Sequence, residues 1–187
     1  MQIYRNRLRF GISAAACVLL ALAVLVLPIR WILAAIAAAV WHELFHVATV
    51  YLCGGSISGL TIDGNGAVMD AHPMSKGREL ICSLAGPLGG FLLLLFVRWI
   101  PRTAICAVFH SLYNLLPIYP LDGGRALRCG AELILPLKAN QICAGIEKGC
   151  LFLIVLLAVY AAVFLKLGLF PLLLTAALYL KVRNTRK

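Results

Sequence analysis

His42-Glu43-Leu44-Phe45-His46 is an H-E-x-x-H motif set in an apolar run: residues 32–40 before it are all apolar, and Val47, Ala48 and Val50 follow. On a helix, positions four apart share a face, so both imidazoles can reach one metal ion. Glu43 stands beside them, where it can take a proton from a water that the metal activates. A charged side chain near the centre of a bilayer costs roughly 2.5–3.5 kcal/mol, so polar residues kept in such a run point to use. The bland alternative is a pair of hydrogen-bonded packing histidines.

Two histidines leave a zinc ion under-coordinated, because a catalytic site needs a third protein ligand and one position open to water. Asp122 is the best candidate. It ends an apolar span, follows Pro117 and Pro120, and precedes Gly123-Gly124. Irregular backbone at membrane depth is tolerated where it is buried or lines a cavity, although Asp122-Gly123 alone could be an ordinary turn. Glu132 is the competitor, in a more highly charged stretch, and ranks below it.

The elements that must carry these residues are membrane helices. The chain of 187 residues is 63% hydrophobic and 13% charged, with a mean hydropathy of +0.97. Soluble domains average about 45–50% apolar and about 25% charged residues. The reading is an all-α polytopic membrane protein, a single domain over residues 1–187, with about six transmembrane helices near 10–28, 31–52, 79–98, 103–121, 148–166 and 168–181. The N-terminal segment imitates a signal peptide but reads as an uncleaved first helix.

The net charge of +10 does not mark a nucleic-acid binder. The basic residues sit at the ends of apolar segments, where they meet lipid headgroups and set orientation. With the N-terminus inside, 13 of the 17 lysines and arginines fall on the inner side. Arg30, Arg98, Arg102 and Lys166 fall outside. Both termini are therefore expected in the cytoplasm. Seven cysteines, several within apolar spans, read as small hydrophobes rather than a disulfide framework.

Residues 53–78 break the helical pattern. Residues 56–62 alternate roughly polar with apolar, Asp63-Gly64-Asn65-Gly66 is a turn signal, and Ala67-Val68-Met69 follows. The pattern predicts a small cytoplasmic-side β-hairpin between the second and third helices. Residues 123–147 mix charged with apolar residues and read as a cytoplasmic or interfacial helix.

Together, His42-Glu43-x-x-His46, Gly86-Pro87 and Asn114-x-x-Pro117-x-x-x-Leu121-Asp122-Gly123 resemble the site-2 protease family (peptidase family M50) of intramembrane zinc metalloproteases. The resemblance covers the three-helix catalytic core, about residues 31–128. It implies one Zn2+ ion held by His42, His46 and Asp122, with Glu43 as general base. It implies Asn114 as a second catalytic group that stabilises the oxyanion. The implied activity is hydrolysis of membrane-embedded or membrane-tethered protein substrates in regulated intramembrane proteolysis, under a membrane regulatory partner. The hairpin resembles that family's β-structure, which presents an edge to an unwound substrate. Gly89-Gly90 stands where the family's third core helix often carries asparagine, and Gly86-Pro87 reads mainly as a device for close helix packing or a kink.

The plan of six spans with cytoplasmic ends, in a bacterial cytoplasmic membrane, is closest to the sporulation-type branch. That branch cleaves a membrane-tethered pro-sigma factor and usually adds a C-terminal sensing domain, for which this chain leaves no room. The alternative function is a non-catalytic membrane protein that binds metal or clamps partner helices. A pure metal carrier needs ligands but no base, so Glu43 separates the two. A third reading, a membrane protease of the prenyl-protein type with a glutamate ligand, is disfavoured because the sequence offers no well-placed membrane glutamate.

Overall fold

The structure, a computed structural model, describes residues 9–12, 24, 27–63, 66–71, 74–166 and 168–185. The chain divides into two compact units, Met1–Tyr113 and Asn114–Lys187.

The first unit opens with strand β1 (Arg9–Ile12) and continues into helix α1 (Ile29–Leu52). Pro28 precedes the first turn of α1, where a fixed φ and a missing N–H suit a helix start. Gly54 ends it at φ +73°. The Gly54 N–H donates to the Tyr51 carbonyl and the Gly55 N–H to the Val50 carbonyl, both at 2.9 Å. This is a Schellman cap, and it needs a residue free to be left-handed.

Strands β2 (Ile57–Asp63) and β3 (Gly66–Ala71) follow. They pair antiparallel, Leu60 opposite Met69, with a register shift between Ile57 and Gly59. β1 pairs parallel to β2, Phe10 opposite Leu60. The sheet order is β1-β2-β3, so β2 is the central strand and β3 an edge.

Helix α2 (Lys76–Leu92) runs on through a 3-10 turn (Leu93–Phe96), and α3 covers Pro101–Asn114. Val50, Ile57 and Cys82 form one small core where α1, β2 and α2 meet. Ala38, Leu93 and Ala107 form another among α1, the 3-10 turn and α3. Ala38 and Ala107 are small, which lets helix backbones approach closely.

The second unit holds α4 (Asp122–Ile134), α5 (Ala139–Val163) and α6 (Phe170–Thr185). Its core gathers Ile118 and Leu121 from the segment before α4 with Leu178 and Val182 from α6. Leu151 and Ile154 of α5 pack against it.

Among the described residues, three helices are long and apolar enough to cross a membrane: Ile29–Leu52, Lys76–Phe96 and Ala139–Val163. Large apolar side chains stay exposed along them, among them Leu33, Val40 and Leu44 on α1 and Phe152, Leu156 and Tyr160 on α5. A soluble surface rarely carries such continuous apolar faces; lipid covers them. Three of the expected spans differ from this picture. The first was expected to be helical from residue 10, but Arg9–Ile12 is strand, held by pairing with β2. Most of its remainder lies outside the described residues. The fourth was expected over 103–121, yet its helix ends at Asn114. Pro117 and Pro120 remove backbone donors and push the residues before them out of helical conformation. The fifth begins at Ala139 instead of 148, because nothing after Pro136 interrupts the helix.

Candidate metal centre

The site in the first unit is built on α1. His42 is buried to 2% exposure, and its Nε2 lies 3.1 Å from the Nε2 of His46. The Nδ1 of His46 is 2.7 Å from the main-chain carbonyl of Cys82. A carbonyl can only accept, so Nδ1 carries the proton and Nε2 presents its lone pair to His42. Such a bond to the ring nitrogen that faces away from the metal is what orients a metal-ligating histidine and fixes its tautomer. Glu43, half-buried, is on the same turn. His110 of α3 sets its ring edge-on to His42, centroids 4.6 Å apart at 88°.

Helix α2 makes room for the imidazoles by omission. A Cβ built on Gly86 would lie 2.6 Å from His42 Nε2 and closer still to His46 Nε2. One on Gly89 would enter the Phe45 ring, and one on Gly90 would strike Ser111 Oγ. Gly86, Gly89 and Gly90 stand at i, i+3 and i+4, one side of a helix. The Gly89 carbonyl also accepts a hydrogen bond of 2.8 Å from Trp41 Nε1, which ties α2 to α1 one turn from the histidines. The close-packing reading of Gly86-Pro87 thus has a concrete form: this face of α2 is a cradle for α1.

In the second unit, Asp122 is the first residue of α4. A carboxylate there gains about 0.3–1 kcal/mol from the positive end of the helix dipole. The two glycines after it are steric necessities. A Cβ on Gly123 would collide with the Leu115 carbonyl, and one on Gly124 with the peptide that joins Ile118 to Tyr119. The first turn of α4 therefore rests directly on the backbone of residues 115–119. Asn114 is the last residue of α3 and half-buried. Glu132 is half-buried near the far end of α4.

Glu147 lies inside α5 at 2% exposure. Drawing the fifth span from 148 put it just outside, in a charged stretch. Its Oε1 accepts the Tyr119 N–H at 3.2 Å and lies 3.8 Å from Arg128 Nη2. The sequence reading also missed the Cys82 carbonyl, which has no side-chain signature, and gave no site role to His110, whose signature was a histidine in an apolar helix.

The donors fit a metal ion. Two imidazole nitrogens converge at 3.1 Å, one held in the ligating tautomer, over a glycine that leaves the space open. A membrane-embedded donor set of this kind defines a metallopeptidase-type site. The Peptidase M50B-like family matches residues 15–121, more than half of the chain, and the protein belongs to that family. The chain is an integral membrane protein of a metallopeptidase family. No curated protein matches it. Among solved structures, it is similar to the Site-2 Protease from Methanocaldococcus jannaschii, with a TM-score of 0.64 and 22% identity over 91% of this chain and 85% of that one.

Proposed function

We propose that this protein is an intramembrane zinc endopeptidase of the site-2 protease type. In this reading His42, His46 and Asp122 together hold one ion, with one position left open to water. Zinc, when bound, acts as a Lewis acid and lowers the pKa of a water to about 7. Glu43 takes the proton as the water attacks the peptide carbonyl and passes it to the leaving amine. The Asn114 amide donates to the oxyanion. The observation that carries this reading is the convergence of His42 Nε2 and His46 Nε2 over Gly86, with His46 Nδ1 fixed by the Cys82 carbonyl.

The substrate is a membrane-embedded or membrane-tethered protein, cleaved in regulated intramembrane proteolysis under a membrane regulatory partner. A helical substrate hides its carbonyls, so it must unwind first. An added strand on a sheet edge would hold it extended. Among the described residues β2 is paired on both sides and β1 and β3 are the edges; β3, the outer strand of the hairpin, is the one proposed to take the substrate. The protein works in a bacterial cytoplasmic membrane with both termini and the sheet on the cytoplasmic side. A sporulation-type substrate, a tethered pro-sigma factor, is the first to try.

Co-expression with tethered substrates, with and without Glu43→Gln, tests the reading. The substitution removes the base and keeps every proposed ligand. Cleavage is expected to fall by at least about 10²-fold, the scale of general acid–base catalysis, with zinc content unchanged. Cleavage at the wild-type rate would refute it. The non-catalytic metal-binder reading predicts no cleavage from either chain.

A further inference from the structure

Glu147 is a buried acid in a membrane-spanning helix that the proposed chemistry does not use. A glutamate is almost never fully buried unless it is paired. Two of its contacts converge on Tyr119. Oε1 accepts the N–H of Tyr119 at 3.2 Å. Arg128 Nη2 is 3.8 Å from the same oxygen, and the Arg128 guanidinium lies over the Tyr119 ring, 4.5 Å from its centroid. The carboxylate therefore takes the main chain of Tyr119 while its ion-pair partner covers the side chain.

The peptide unit that joins Ile118 to Tyr119 is also the seat of α4. A Cβ on Gly124 would fall on the Ile118 carbonyl carbon and the Tyr119 nitrogen, so the first turn of α4, which begins with Asp122, rests where Glu147 grips. Residues 115–121 have no helix or strand to hold them, and the Tyr119 N–H would otherwise need a partner. Ile118, at 0% exposure, fixes the segment from its apolar side. Glu147 fixes it from its polar side.

We propose that Glu147 is a positioning residue: through the Tyr119 N–H and Arg128 it holds residues 115–121 so that Asp122 is preset as a zinc ligand. The inference rests on the metalloprotease reading for its consequence, but the grip itself does not. Two variants of the full chain in detergent separate the cases. Glu147→Gln keeps an oxygen for the Tyr119 N–H; Glu147→Leu removes it. Amide hydrogen exchange and zinc retention against a chelator are read on both.

In Glu147→Leu, exchange in residues 115–124 should rise about tenfold or more, the scale of a lost hydrogen bond to a charged group. Exchange in the rest of α5 and in α6 should not change. Zinc affinity should fall by about tenfold, the low end for loss of a ligand-orienting contact. Glu147→Gln should keep most of the loop's protection. Unchanged exchange in the leucine variant, an equal rise throughout the second unit, or identical behaviour of the two variants would overturn the proposal. A faster-exchanging loop with full zinc affinity would overturn the positioning role. A wild-type chain without zinc would instead overturn the metalloprotease reading, and the exchange measurement would still decide the grip.

Discussion

A methyl group on Gly86 would occupy the space between α2 and the two imidazoles, where His42 Nε2 would be 2.6 Å away and His46 Nε2 nearer. Gly86→Ala should therefore abolish zinc binding and cleavage together. The helix itself loses little, since alanine is the better helix former; overpacking of this kind costs about 1–3 kcal/mol. Metal analysis and thermal unfolding on the purified variant check this: metal lost from a folded chain is expected. Retained zinc would place the metal elsewhere. At this scale the sequence was most legible for the motif residues, because His42, Glu43 and His46 carry their chemistry in their types and spacing. Gly86 was legible only as a packing signal. The Cys82 carbonyl was invisible, since any residue at position 82 supplies the same oxygen.

The elements were read less evenly. The membrane helix over 31–52 is legible because a long apolar run ended by Gly54-Gly55 admits few other structures, and α1 spans Ile29–Leu52. The start of α5 was misplaced because Lys148 looked like a boundary, whereas the Tyr119 N–H and Arg128 let Glu147 sit buried inside the helix. Strand pairing is not local, so the parallel partnership of β1 with β2 leaves no trace in the spacing of residues 9–12. That partnership leaves β3 as the edge of the hairpin. Alternate residues of an edge strand point their N–H groups inward and outward. Of Val68→Pro and Met69→Pro, one removes a ladder bond to β2 and the other removes a donor from the free edge. The outward one should impair cleavage with zinc content and fold intact; the inward one should also loosen the sheet. Two variants with normal cleavage would leave β3 with no part in substrate binding.

For the whole molecule, the proposed orientation rests on the lysine and arginine bias, since positive residues tend to stay in the cytoplasm. Reporter fusions in residues 98–102 and after residue 185 should report opposite sides of the membrane, with the C-terminus inside. The same side for both would refute the six-span arrangement. Composition made the membrane class legible, but the number of spans was not, because α3 has 14 residues and a crossing needs about 20. The proposed function turns on a single metal ion that His42, His46 and Asp122 would share. Zinc stoichiometry on the purified wild-type chain and on Asp122→Ala tests that most directly. One zinc per wild-type chain, with loss of both zinc and cleavage in the variant, is the predicted result. A wild-type chain without zinc, or full occupancy and undiminished cleavage in Asp122→Ala, would contradict it.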